Sequence, residues 1–214
     1  MLSRRTVLRA SAISCLVSGT AAAGVTAAAA GFHMPDEAVA HERSFMQWPV
    51  SRATYGDASS LASVQQVIAD IANAIAAFEP VVMLMDRSYE AAARKRLSGR
   101  VAIWDIPTDD LWCRDSGPAF VVDGRGGLAV TQFNFNGWGG KQAHPNDGKV
   151  AQRVADRLGV KVFDAGLVGE PGGVETDGAG TLIAHESSWV NRNRNPGDRA
   201  AVERLLLATP ARAR

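Results

Sequence analysis

Apolar residues recur at steps of three and four in one stretch: Leu61, Val64, Ile68, Ile71, Ile75 and Phe78. That spacing predicts an amphipathic helix burying all of these side chains on one face. Ser59 or Ser60 caps its start and Pro80 ends it. Val81-Val82-Met83-Leu84-Met85 follows as an unbroken apolar run of strand length. Phe45, Met46 and Trp48 suit a short buried strand before Pro49, and Val101–Ile106 suits another. The alanine-rich, basic stretch Tyr89–Leu97 reads as a second helix. Farther on, Ala119–Val122 and Leu128–Phe133 flank Asp123-Gly124-Arg125-Gly126-Gly127, a hairpin signal. Val150, Val154 and Leu158 mark a helix closed by Gly159, and Val160–Phe163 reads as a strand. Gly173–Thr176 and Thr181–His185 flank a second hairpin around Asp177-Gly178, and Asp198–Leu207 reads as a last helix. Hairpins mixed with crossover helices predict an α/β fold with mixed sheets, unlike a doubly wound parallel sheet. No GxGxxG opens a helix and no GxxxxGK[ST] occurs, which removes dinucleotide and P-loop readings.

Composition narrows the class. The 214 residues are 46% hydrophobic and 21% charged, proportions of a soluble globular chain of about one domain. The formal net charge of +1 offers no electrostatic reason for a nucleic-acid partner. Residues 1–30 stand apart. Ser3-Arg4-Arg5-Thr6-Val7-Leu8 is a twin-arginine pattern, followed by a weakly apolar run and by Ala21-Ala22-Ala23 and Ala28-Ala29-Ala30. They read as an export signal for the twin-arginine machinery, delivering a domain of residues 31–214 to the periplasm or beyond. Ser14, Ser18, Gly19, Thr20 and Gly24 interrupt the segment, which argues against a lasting membrane partner. With Cys15 inside this signal, Cys113 is the one remaining thiol, so no intrachain disulfide is expected. His33, His41, His144 and His185 are scattered without CxxC or HExxH, so no metal site is expected.

Three loop-like segments concentrate polar residues. One is Asp109-Asp110-Leu111-Trp112-Cys113-Arg114-Asp115-Ser116-Gly117-Pro118. Another is Asn134-Phe135-Asn136-Gly137-Trp138-Gly139-Gly140-Lys141. The third is Glu170-Pro171-Gly172-Gly173-Val174-Glu175-Thr176-Asp177-Gly178. Glu175 and Asp177 share one face of a strand by spacing. Paired acids of this kind hold cations or move protons. A buried ion pair under an indole, ordinary glycine turns and a solvated acidic face are the alternatives to a site, and they stay open here.

Met34-Pro35-Asp36-Glu37, His41–Pro49, the Trp-Cys-Arg-Asp-Ser-Gly-Pro stretch and the Asn-Gly-Trp-Gly-Gly-Lys stretch occur in order. Glu175-Thr176-Asp177-Gly178 and Asn191-Arg192-Asn193-Arg194-Asn195-Pro196 follow. Together, from about residue 33 to 198, they resemble the agmatine deiminase and bacterial peptidylarginine deiminase family. The resemblance implies a five-bladed α/β propeller of pentein type, with the site on its axis. It implies hydrolysis of a guanidinium group, in agmatine or peptidyl arginine, without a cofactor. A cysteine attacks the guanidinium carbon, ammonia leaves, and water releases a ureido product. The resemblance puts Asp115 and Asp177 on the guanidinium nitrogens, with Trp112, Arg114, Gly172 and Gly173 around the substrate. Planar guanidinium groups pair best with carboxylates.

Two departures carry expectations of their own. Glu175 stands where agmatine deiminases usually place a histidine, and the resemblance makes it the proton shuttle. The family's nucleophilic cysteine lies near its C-terminus, and nothing here matches that motif. Cys113 falls at the variable position of W-x-R-D and is expected to be inert. The expectation is therefore an incomplete propeller of about three blades, truncated before its nucleophile. Such a chain is inactive or merely binds guanidinium compounds, with apolar strands such as Val81–Met85 exposed at open edges.

Overall fold

Every strand proposed from residue 41 onward is present, and the strands gather into three three-stranded sheets. In this computed structural model the described residues are 31–210 and the backbone of 5–9. The first sheet is parallel throughout, in the order β2 (Ser44–Gln47), β3 (Val81–Met85), β4 (Val101–Asp105). The second pairs β5 (Ala119–Val122) antiparallel with β6 (Leu128–Gln132), and β7 (Lys161–Asp164) joins β6 in parallel. The third pairs β8 (Val174–Thr176) antiparallel with β9 (Thr181–His185). The backbone of β1 (Arg5–Arg9) adds to the other edge of β9, with Arg5 opposite His185. The remainder of the expected export signal lies outside the described residues.

β3 shows how the sheets are glued. All five of its residues are buried, alternating between two cores. Val81, Met83 and Met85 pack under the helix Ala58–Ile75, and Val82 and Leu84 pack on Val150 and Val154 of the helix Val150–Leu158. The latter helix also sets Ala151 and Ala155 against Val130 of β6, so it joins the first two sheets. The expected exposure of Val81–Met85 is therefore corrected: helices cover both faces of this strand.

Two helical expectations need revision. The helix Ala58–Ile75 is capped by Asp57, whose carboxylate accepts from Ser60 N, and its buried face is rotated from the predicted one. Ile68, Ala69 and Ala72 face the sheet, while Ile71 is 43% and Phe78 91% exposed. The alanines let the helix approach the sheet closely, which outweighs the periodicity of the larger residues. The expected helix Tyr89–Leu97 is a 3-10 turn Arg87–Tyr89 and a single turn Glu90–Ala93. Asn73 takes Ser98 N at 2.7 Å and donates to Arg96 O at 2.8 Å, pulling the chain out of helical register.

A network of buried acids joins the loop after β4 to the loop before the helix Val150–Leu158. Asp147 Oδ1 accepts from Asp109 N at 2.8 Å and Oδ2 from Asp110 N at 3.1 Å. Asp109 Oδ2 returns the favour, accepting from Asn146 N at 2.8 Å and Asp147 N at 3.0 Å. Gln47, fully buried at the end of β2, donates to Asp147 Oδ1 and Asp110 O and accepts from Ser116 Oγ at 2.8 Å. Tyr55 and Gln142 donate to the Asp110 carboxylate.

Burial pushes the Asp147 carboxyl up to about 7, the Asp109 and Asp110 charges adding to the rise against the pull of two backbone N–H groups. The unfolded chain releases this proton near pH 4, whereas the folded chain keeps it until about pH 7. Folding stability therefore falls as pH rises through that window, by a few kcal/mol at about 1.4 kcal/mol per pH unit. Asp115 and Glu170, both raised by burial, act in the same direction. The expected outcome is a lower melting temperature at pH 8 than at pH 5. Asp147→Asn flattens the difference while lowering stability overall, as followed by circular dichroism.

Candidate active site

Asp115 lies on the single helical turn Cys113–Ser116, which leads into β5. Ser116 anchors the turn through Gln47, and Cys113 leans on the core between the first sheet and the helix Val150–Leu158. Asp115 is half-buried, and the indole Nε1–H of Trp138 donates to its Oδ1 at 3.4 Å. Burial raises its pKa, opposed by that hydrogen bond and by the Arg114 and Arg194 charges.

Trp138 reaches Asp115 from an unusual backbone. Residues 137–140 are all left-handed, with φ of 69°, 58°, 83° and 77°. Glycine accepts these angles freely, but the tryptophan does so at about 1–2 kcal/mol. Asn136 Oδ1 accepts from Gly139 N at 2.8 Å, and its Nδ2 donates to Asn193 O at 2.9 Å. The indole meets Phe135 edge to face at 5.0 Å and Trp112 at 6.4 Å. Trp112 is 50% exposed, so two aromatic rings stand beside one carboxylate at a partly open surface.

The 3-10 turn Pro171–Gly173 closes the other side. A Cβ on Gly172 would lie 3.0 Å from Arg114 Cγ and 3.4 Å from Asp115 Oδ1, so the missing side chain leaves room for both. Gly173 packs on Trp189, whose Nε1 donates to its carbonyl at 2.8 Å. Just before the turn, Glu170 is 4% exposed, and its Oε1 accepts from Arg194 Nε at 3.1 Å and Nη2 at 2.7 Å. Burial raises the Glu170 pKa against the pull of Arg194. The charges of Asp115, Arg194 and Lys141 all act on Glu170, which makes the group one electrostatic cluster.

The site residues expected from the sequence thus divide. Trp112, Asp115, Gly172 and Gly173 come together. Arg114 sits on the same turn but is spent on an exposed ion pair with Glu37. That pair borders a cavity of about 440 Å³ lined by Met34, Arg43, Cys113 and Val174, distinct from the narrow cleft that Asp115 lines with Pro171. Glu175 is exposed on β8 opposite Ile183, and among the described residues no hydrogen bond engages its carboxylate. Asp177 holds the hairpin: its Oδ1 accepts from Ala179 N at 2.8 Å and Thr181 N at 2.9 Å, which lower its pKa. Cys113 has its thiol pushed up to about 12 by burial, with the Asp147 charge adding, so it remains protonated. Trp138, Glu170 and Arg194 were not singled out from the sequence as site residues. Each lies in a motif that was, but the contacts joining them run between motifs. Among the described residues no group of His, Cys, Asp or Glu is placed to hold a metal ion. No described helix is long and apolar enough to cross a membrane.

Comparison with known proteins gives this cluster a family. Residues 33–210 match the family model of the Porphyromonas-type peptidyl-arginine deiminases. The chain belongs to that family. Among this family's curated relatives, one from Streptomyces coelicolor is 40% identical over 168 residues, 78% of this chain and 50% of its own. The agmatine deiminase of Ectopseudomonas mendocina is 38% identical over 189 residues, 85% of this chain and 51% of its own. The structure of Enterococcus faecalis agmatine deiminase superposes with a TM-score of 0.78 at 28% identity, over 84% of this chain and 51% of that one. The chain spans about half the length of the curated relatives it matches. Its three sheets, one parallel, one mixed and one antiparallel, with their covering helices have the α/β arrangement of these structural neighbours.

The two arginine pairs at this site predict contrasting costs. Arg194→Ala leaves Glu170 buried and uncompensated and lowers stability by about 3–5 kcal/mol. Arg114→Ala removes an exposed pair and costs under about 1 kcal/mol. Urea unfolding of the two variants beside the unmodified chain measures both.

Proposed function

We propose that this protein recognises a guanidinium compound and belongs to an agmatine deiminase-type hydrolase, converting agmatine and water to N-carbamoylputrescine and ammonia. The observation that carries the reading is Asp115, a half-buried carboxylate that makes no direct ion pair among the described residues, beside the paired indoles of Trp112 and Trp138. A carboxylate held partly out of water attracts a planar cation more strongly than an exposed one, and indole rings favour the same cation across their faces. The similarity to agmatine deiminases supports the substrate class. Peptidyl arginine is the second reading, favoured by the description of the matching family model. In either case Asp115 holds the guanidinium while a thiolate attacks its carbon, ammonia departs and water frees the ureido group.

Cys113 does not supply that thiolate, since its proton is held far above neutral pH. On this reading the described residues bind the guanidinium, and its hydrolysis needs a thiolate other than that of Cys113. We propose further that the three sheets are three blades of a five-bladed propeller. Glu175 and Asp177 belong to the substrate side of the third blade in this reading, where the family resemblance puts a proton shuttle and a second guanidinium ligand.

Calorimetry with agmatine and with a blocked arginine peptide tests the reading. Asp115→Asn weakens binding of the preferred compound by about 10- to 100-fold, the worth of a charge-assisted hydrogen bond, and Cys113→Ala leaves it unchanged. Equal binding by Asp115→Asn overturns the role of Asp115. Ammonia release that vanishes in Cys113→Ala overturns the role denied to that thiol.

Export by the twin-arginine route is likewise proposed, from Arg4 and Arg5. The variant carrying Arg4→Lys and Arg5→Lys stays in the cytoplasm when cell fractions are blotted, whereas unchanged secretion rules the route out.

A further inference from the structure

We infer that Trp138 is a positioning residue for Asp115, aimed by the left-handed turn 137–140 so that its indole N–H fixes the orientation and the charge of that carboxylate. The inference rests on the guanidinium reading for its consequence, but not for its geometry.

Three observations carry it. First, among the described residues the indole N–H is the one side-chain donor that Asp115 receives. The nearby guanidinium groups are occupied elsewhere, Arg114 with Glu37 and Arg194 with Glu170. Second, the ring has little freedom. Phe135 and Trp112 meet it edge to face at interplanar angles of 88° and 87°. Third, the backbone beneath it is built for one geometry. A Cβ at Gly137 would lie 2.2 Å from Gln142 O and 2.6 Å from His144 Nδ1, and one at Gly139 would lie 3.1 Å from Asn193 Cβ. Gly137 and Gly139 therefore leave no room for a side chain on either side of Trp138, and Trp138 delivers the donor.

The charge of Asp115 answers to every group packed around it. Arg114 on its own turn and Arg194 from the Asn191–Pro196 segment favour the carboxylate. Glu170 opposes it, itself moderated by Arg194 and Lys141. Burial opposes it most. The Trp138 N–H is the directional element in this balance. Its removal raises the pH at which Asp115 ionises and lets the carboxylate turn away from a bound guanidinium.

The test is a pH titration of the full chain labelled with ¹⁵N at tryptophan, which gives five indole signals. The Trp138 signal is assigned by its proximity to the Phe135 ring. It shifts with a single midpoint in the unmodified chain, and Asp115→Asn abolishes that shift. The Trp189 signal, bonded to the Gly173 carbonyl, stays flat as an internal control. In Trp138→Phe, which keeps an aromatic ring but loses the N–H, the Asp115 ¹³C-carboxyl midpoint rises. Agmatine binding by this variant then weakens more below the measured Asp115 midpoint than well above it, by up to about threefold, a dependence that simple loss of packing does not produce. A Trp138 signal that fails to titrate, or that titrates equally in Asp115→Asn, overturns the inference. If Trp138→Phe does not fold, the comparison of the unmodified chain with Asp115→Asn decides alone. If the unmodified chain binds no agmatine yet the indole follows Asp115, the guanidinium reading falls and the positioning of Asp115 stands.

Discussion

The reciprocal bond between Asp109 and Asp147 is the constraint on which the site depends. Each carboxylate accepts backbone N–H groups from the other's loop, so neither loop moves without leaving buried donors unpaired. Gln47 carries the constraint onward to Ser116 and thereby to the turn that presents Trp112 and Asp115. The first sheet, the second sheet and the candidate active site are thus tied through a handful of polar atoms. Low dielectric makes such a network stiff when satisfied and costly when broken. It also explains why Asp147 is held near neutrality: the chain tolerates its desolvation because the donors it gathers set the geometry.

Apolar packing builds the frame around that network. The helix Val150–Leu158 serves the first sheet with Val150 and Val154 and the second with Ala151 and Ala155. Its N-terminal end emerges directly from the Asp147 segment. The same short stretch of chain therefore begins at the acidic network and ends in the shared core, so burial of the helix and pairing of the acids reinforce each other. Phe133, Leu167, Val174 and Trp189 form the core of the third sheet, which places the Pro171–Gly173 turn against Asp115.

At the site itself the chain accepts conformational strain and charge burial together. Trp138 stands in a left-handed conformation, and Asp115 and Glu170 are drawn partly out of water. Strain of this kind persists only where surrounding contacts outweigh it. Here they are the two aromatic edges, the Asn136 clamp and the Glu170–Arg194 pair. These features lie in three loops far apart in sequence, and no single loop could fold into this arrangement alone.

The sequence by itself determined the strands and the turns between them. Alternating runs and glycine punctuation located the strands to within a residue or two, and Gly159 closes its helix in the left-handed conformation expected of it. These features depend on local backbone preferences, which neighbouring residues dictate. Of the residues the motifs named, Trp112, Asp115 and the Gly172-Gly173 turn lie in one part of the fold. Tertiary structure decided what those loops do to one another. The helix Ala58–Ile75 turned its alanines inward because close approach to β3 gained more than burying Ile71 and Phe78. Arg194 chose Glu170 across 24 residues, and Arg114 chose Glu37 across 77. Asp177 was drawn to the backbone of its own hairpin and Trp138 to Asp115. A charged or polar side chain has many partners of equal chemical merit along the chain. Which one it finds is set by distance, burial and competing donors, and those quantities exist only once the sheets have packed.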